Sequence, residues 1–288
     1  MNPTLDAAPR LRCHMLDTGY CLAWEDHALA GGRHAQIQCH SLVALLQHPQ
    51  HGWLLWDTGY HPRMLDATAT FPYSLYRRIT PLFIRPELAV ASQLDAFDLK
   101  PSDIRLIFVS HFHADHIAGL RDFPDATYVT LRAAYQHIAP LRGFGALRRG
   151  FLPMLLPPDF ERHASFPTTF AGPLLPGLGP TCDYFGDGSL LLVLLPGHAR
   201  GQIGMLAQTE SGPVLFAADC CWLSRSIREV RPPARIANFI ADSPTAVLDT
   251  IRRAHTFAQA CPDVRIVPSH CPEAFAREVI TSRPLRII

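Results

Sequence analysis

The stretch SHFHADHIAGL, residues 110–120, sets His111, His113, Asp115 and His116 within one short segment. Imidazole and carboxylate together suit zinc and also iron, manganese or cobalt. The apolar run RLIFVS leading into it reads as a strand. Side chains alternate along a strand, so His111 and His113 leave its end on one side and can share an ion; Asp115 and His116, on the following turn, can face a second. Any one of these residues is commonly a hydrogen-bonded structural group. The whole pattern is hard to obtain by accident in a chain with 15 histidines among 288 residues. The remaining ligands must come from elsewhere, and His198 after LLVLLPG, Asp219 after VLFAA and His270 after RIVPS each follow an apolar run directly, as a site built on strand ends requires.

The elements that would position them recur along the chain. RCHML, QIQCHSLVALL, WLLWD, RLIFVS, ATYVT, SLLLVLL, QIGMLAQ, PVLFAAD and VRIVPS read as strands, the earlier ones close enough to pair as hairpins or meanders. PELAVASQLDAF, IAGLRDF, TLRAAYQHI, SPTAVLDTIRRAHTFAQA and PEAFAREVI read as helices, the fourth opened by Ser243 as N-cap with Pro244 at the first helical position. Two β-rich halves, each followed by helices, predict sheets packed face to face with helices outside. Residues 140–180 break the rhythm, being rich in proline and glycine yet carrying Phe144, Phe151, Phe160, Phe166 and Phe170. Two readings stand for this insert: a helical piece that completes the core, or a lid lining an apolar pocket with Phe144 and Phe151 in its wall.

A chain of 288 residues is long enough for one large domain or two modest ones. The formal net charge of +1 gives no reason to expect a nucleic-acid or anionic-membrane partner. Lys100 is the sole lysine, which we read as compositional bias. The amino terminus has no apolar core of a secretory signal and carries Asp6 early, and the apolar run 190–195 is too short to cross a bilayer; a cytoplasmic protein is the expectation. There the 8 cysteines, which form no C-x-x-C pair, would be reduced and mostly small core residues. That reading includes Cys220 and Cys221, beside Asp219.

With these residues in place, the chain resembles the metallo-β-lactamase fold superfamily of metallohydrolases. His111, His113, Asp115 and His116 match its H-x-H-x-D-H signature, His198 in PGHARGQ its G-H motif, Asp219 its bridging aspartate and His270 its last histidine. The resemblance runs from about residue 10 to the end. It implies an α+β fold, a four-layer αββα sandwich, forming one hydrolase domain over 1–288 with the 140–180 insert. It further implies two zinc ions, one held by His111, His113 and His198 and the other by Asp115, His116 and His270, with Asp219 bridging. A hydroxide between them would be the nucleophile, oriented by Asp115. Asp57 in WLLWDTG matches the early D-T-G that lies beneath the metals in the family, where it would fix imidazole tautomers. On sequence alone a turn closing the strand WLLWD explains it equally.

Among subfamilies, the secreted β-lactamases generally lack the bridging aspartate. Glyoxalase II-like thioesterases append a helical region after the last histidine, whereas only residues 271–288 follow it here. The quorum-quenching lactonases are the most similar, in the D-T-G, in FGDGSLLLVLLPGHARGQIG and in the full ligand set. That likeness implies opening of an N-acyl homoserine lactone or related ester, a small-molecule substrate whose acyl tail the insert could receive. Many of these lactonases place a tyrosine three positions after the bridging aspartate; here Trp222 stands there, with Tyr184 a candidate substitute at the substrate. Other ester, thioester or phosphodiester hydrolysis, an iron sulfur dioxygenase and a non-catalytic sensor are the alternatives on the same fold. Assembly, including a homodimer, is left open.

Overall fold

A computed structural model describes residues 7–281. The expectation drawn at Asp6 and the two ends of the 1–288 span lie outside the described residues. One sheet has seven strands in the order β4-β1-β2-β3-β5-β6-β7. They are β1 (Arg12–Trp24), β2 (Gln36–His48), β3 (Gly52–Trp56), β4 (Leu82–Phe83), β5 (Ile104–Phe108), β6 (Thr127–Val129) and β7 (Ala164–Ser165). A ribbon of β8 (Leu174–Leu175) and β9 (Gly179–Pro180) follows. The second sheet has five strands in chain order: β10 (Cys182–Asp183), β11 (Leu190–Leu194), β12 (Ile203–Thr209), β13 (Gly212–Ala218) and β14 (Arg265–Pro268).

Alternation builds the layers. Leu42, Ala44 and Leu46 of β2, Leu54 and Trp56 of β3, Leu190 and Leu192 of β11, and Val214 and Phe216 of β13 meet in one core between the sheets. Their neighbours point the other way. Val43, Leu45 and Leu55 pack under the helical segments of the first half, while Leu191, Val193, Leu215 and Ala217 pack under the helix Pro244–Ala260. That helix lays Val247, Ile251, Ala254 and Phe257 on the sheet at helical spacing, and its Ser243 cap accepts the Ala246 N–H. Strands buried on both faces read as unbroken apolar runs, which is why LLLVLL and SLVALL carry no polar alternation. The result is the four-layer α+β sandwich. Among the described residues no helix is long and apolar enough to cross a membrane.

Two elements depart from expectation. RCHML continues to Trp24 as β1, through a register shift between Asp17 and Tyr20 that disguises the strand behind the polar D-T-G of residues 17–19. PELAVASQLDAF breaks into short turns of helix, Pro86–Leu88, Val90–Gln93 and Leu94–Phe97, ended by Asp98 in the left-handed region.

Strand direction places the site. β3 and β5 run parallel. β11 and β13 both run antiparallel to β12, and β14 runs parallel to β13. All five therefore finish at one edge of the sandwich, and the residues just beyond their ends are Asp57, His111, His198, Asp219 and His270.

The insert takes the core reading at most of its aromatic positions. Phe151, Leu152, Leu155 and Phe160 are buried in the helical-layer core. Phe151, expected at a substrate pocket, is only 1% exposed and belongs to that core. Phe144 lies on the surface, edge-on to Phe71, with neither the enclosure nor the neighbours of a pocket wall. Phe151→Ala should therefore lose about 3–5 kcal/mol of stability through lost burial and the cavity left behind, measured by urea unfolding. An unchanged unfolding midpoint with an altered preference among acyl-chain lengths would return Phe151 to a pocket.

Candidate metal centre

Each candidate ligand is aimed by the backbone that carries it. His113 is extended at φ −68°, ψ 151° and caps the short helix Ala114–Ile117, whose first turn presents Asp115 and His116. At the end of β13, Ala218 has φ 46° and turns the chain so that Asp219 faces the edge; Asp57 after β3 has φ 59°. Aspartate tolerates the left-handed region, whereas an alanine there costs about 1–2 kcal/mol, so the tertiary structure must enforce the bend at Ala218. Gly197, at φ 127°, lets the helix Pro244–Ala260 approach so closely that a β-carbon would stand 2.3 Å from the Val247 nitrogen. This close approach holds the loop that carries His198.

These bends bring the predicted residues together as two groups. Donor atoms of His111, His113, His198 and Asp219 lie within 4.8 Å of one another, and so do those of Asp115, His116 and His270. Asp219 spans them: Oδ2 is 3.3 Å from His198 Nε2 and 3.1 Å from His270 Nε2, while Oδ1 is 3.3 Å from His116 Nε2. Asp115 Oδ2 lies 3.3 Å from His270 Nε2, and Asp115 is the most exposed of the set.

Asp57 sits under both groups. Its Oδ2 accepts from His116 Nδ1 at 2.8 Å and from the Ser110 hydroxyl at 2.7 Å, and its Oδ1 accepts the Ser110 N–H at 2.8 Å. With its hydroxyl proton given to Asp57, Ser110 Oγ can accept from His111 Nδ1, 3.0 Å away. One carboxylate thus settles two tautomers, leaving the Nε2 atoms of His111 and His116 toward the site. Thr58 of the same D-T-G donates both its N–H and its hydroxyl to the His116 carbonyl, so the motif acts on the site as well as closing the strand. His270 Nδ1 donates to the His40 carbonyl, which turns its Nε2 inward too. Ser110 and the His40 carbonyl escaped the sequence reading: a serine beside a histidine motif carries no periodic signal, and a carbonyl none at all.

Electrostatics divides the histidines. Burial, reinforced by neighbouring imidazoles, holds His111 and His113 well below the usual histidine range; burial takes His198 to about 4 against the opposing pull of Asp219. Burial also opposes charge on His116 and His270, but carboxylates outweigh it: Asp219 and Asp57 hold His116 well above its usual value, and Asp219 with Asp115 lifts His270 to about 9. Asp219 stays ionised despite burial because His270, His116 and His198 surround it.

The residues fit divalent ions. His111 Nε2 is buried with no hydrogen-bond partner among the described residues, which a lone polar atom rarely tolerates. His198 Nε2 faces His113 Nδ1 at 2.8 Å, and His116 Nε2 faces His270 Nε2 at 3.3 Å, so ring nitrogens converge where cations would be held. By contrast His48, His51 and Asp187 also cluster, but His48 Nδ1 already accepts two backbone N–H groups and its Nε2 meets Asp187 and Ser189. That group is a fastening of the β2–β3 turn.

The two aromatic residues expected at the substrate differ in where they lie. Trp222 lies at the site, but its Nε1–H donates to Asp219 Oδ2 at 2.9 Å, so its only polar hydrogen is committed to the carboxylate. Tyr184 lies at the amino end of β11, whereas His198 follows the carboxyl end. Its ring packs edge-on against Phe108. Cys220 and Cys221 are buried in the core beneath the helix Pro244–Ala260.

Comparison with known proteins agrees with this architecture. Residues 37–220 match the family described as Metallo-beta-lactamase superfamily. The N-acyl homoserine lactonase AttM of Azorhizobium caulinodans is 26% identical over 196 residues, 67% of each chain; that of Agrobacterium fabrum is 27% identical over 197 residues, 64% of each. The chain thus spans about two thirds of the length of these relatives. The probable metallo-hydrolase Rv2300c of Mycobacterium tuberculosis is 29% identical over 260 residues, 83% of this chain and 76% of that one. An N-acyl homoserine lactone hydrolase solved with N-hexanoyl-L-homoserine at its catalytic metal centre shares the fold, with TM-score 0.72 at 17% identity over 92% of this chain and 95% of its own. With the family matched over more than half its length and the sandwich reproduced throughout, the chain belongs to the metallo-β-lactamase superfamily.

Proposed function

We propose that this protein is a dinuclear metal-dependent hydrolase that opens lactones, an N-acyl homoserine lactone or a related cyclic ester. The observation that carries the dinuclear reading is the Asp219 carboxylate reaching histidines of both groups. The lactone reading draws on the AttM relatives. His111, His113 and His198 would hold one ion, Asp115, His116 and His270 the other, with Asp219 between. Zinc is our first choice, and iron, manganese or cobalt accept the same donors. Bound there, the ions supply a Lewis acid for the carbonyl and a water acidified toward neutral pH.

The chain's own residues do the rest. Asp57, through His116 and Ser110, keeps the imidazoles in one tautomer. Asp115, the most exposed carboxylate of the site, would take the proton of the attacking oxygen at Oδ2 and pass it to the leaving alkoxide. Trp222 orients Asp219 and offers nothing to the carbonyl, so activation of the substrate does not rest on a side-chain donor at that position. Eight free thiols accord with a reducing compartment, and we place the protein in the cytoplasm.

Elemental analysis of protein purified without chelator should find close to two transition-metal ions per chain; a firm value of one, unchanged by added Zn²⁺ or Mn²⁺, would remove the bridging role from Asp219. Asp115→Asn preserves shape and loses basicity, so turnover should fall by at least about 10²-fold, and near-normal activity in a fully metallated variant would contradict the proton role. The reaction itself is tested by proton release with lactones of varied tail length beside linear thioesters and phosphodiesters. Lactones should be turned over fastest. A thioester or phosphodiester favoured by orders of magnitude would sink the lactone reading and leave the metallohydrolase standing.

A further inference from the structure

A narrow cleft of about 20 Å³ lies beside His113 and His198, and its lining is charged: Arg149 from the insert, Arg200 from the loop after His198, and Asp242. Both arginines converge on the one carboxylate. Arg149 Nη1 lies 3.5 Å from Asp242 Oδ1, and Arg200 Nε lies 3.4 Å from Asp242 Oδ2. These separations exceed the 2.7–2.9 Å of a good charge-assisted hydrogen bond by roughly half an ångström or more. Beyond Asp242, Arg149 reaches among the described residues only the Ala241 carbonyl, at 3.2 Å. Each guanidinium carries five donors, so most of this capacity is unspent. Two cations against one anion leave the rim positive. His137, in the same lining, adds no further positive charge: burial and the two arginines push its imidazole toward the neutral form, and its Nε2 is buried without a hydrogen-bond partner among the described residues. Phe112, Ile138 and Ile240 supply apolar lining.

We propose that this cleft is a subsite for a carboxylate on the substrate, held by Arg149 and Arg200 while the scissile carbonyl lies at the histidines. The inference rests on the reading of the site as one that hydrolyses a carbonyl ester, and it specifies the rest of the molecule: a short apolar spacer ending in an acid. A carboxylate is favoured over a dianion because the rim's surplus is a single positive charge. Asp242 already shows that the two forks can turn toward one carboxylate. Arg200, half exposed and held by no described contact but two long ones to Asp242, can swing outward to widen the cleft and receive a ligand. The subsite also accounts for the insert, whose Phe144 and Phe151 line no apolar tail pocket while Arg149, two residues before Phe151, faces the site.

The test compares the γ-lactone of 2-hydroxyglutaric acid with its methyl ester on the metal-loaded enzyme. The free acid should show a KM at least about tenfold lower, the scale of one charge-assisted hydrogen bond. That ratio should collapse toward one in Arg200→Gln and in Arg149→Gln/Arg200→Gln, and widen in Asp242→Asn, where the internal rival is gone. A merely structural role for the three charges predicts that Asp242→Asn weakens any preference along with the others. Equal KM values for acid and ester in the wild type, or a preference indifferent to the arginines, would overturn the proposal. Thermal unfolding with added glutarate separates this idea from the lactone reading. If neither these two lactones nor an N-acyl homoserine lactone is hydrolysed yet glutarate raises the melting temperature of the wild type and not of the double arginine variant, the subsite stands and the lactone reading falls; no rise, or an equal rise in both proteins, removes the subsite.

Discussion

The structure is organised around a buried carboxylate. Asp219 is 3% exposed, and an ionised group removed from water costs several kcal/mol unless charge and hydrogen bonds replace the solvent. The replacement comes from three histidines and an indole, which are drawn from the turn after β14, from the loop after β11, from the helix after β5 and from the turn after β13. No local segment could assemble that shell. The two sheets must first be packed with five strand ends at a common edge, so the inter-sheet core and the polar site are two aspects of one constraint.

Support for the shell is layered rather than direct. Asp57 touches neither Asp219 nor any solvent, yet it decides which nitrogens of His111 and His116 face inward. Trp222 makes the complementary contact from the other side, on Asp219 itself. A chain with a tyrosine at that place has a hydroxyl that can swing to a substrate; an indole N–H bound to the carboxylate has no such freedom. Tryptophan here gives up a potential reacting group and holds the Asp219 carboxylate in place.

Much of this is legible in the sequence. Apolar runs leading into His111, His198, Asp219 and His270 mark strand-end candidates for ligands, and Ser243-Pro244 marks the long helix. The illegible parts have physical reasons. β1 hid behind Asp17, Thr18 and Gly19 because a bulge excuses polar residues from the alternation. The insert could not be divided between core and cleft, because a phenylalanine is equally suited to either and only packing decides; Phe151 went inward and Phe144 outward. Tyr184 resembled a plausible substitute by type, but the pairing of its N–H with the Leu190 carbonyl put it at the opposite end of β11 from His198. The arginine cleft gave no motif, since Arg149, Arg200 and Asp242 are far apart in the chain.

Gly150 ties these themes together. At φ 59°, with its carbonyl accepting the Ala114 N–H at 2.8 Å, it lies so close to His113 that a β-carbon would stand 2.9 Å from the imidazole ring. On one side Arg149 faces the cleft; on the other Phe151 is sealed in the core. Divergence in this segment is thus partitioned by single positions: residue 149 can drift to suit a new ligand, residue 151 is restrained by folding, and the glycine between them is the fulcrum that neither pressure can move.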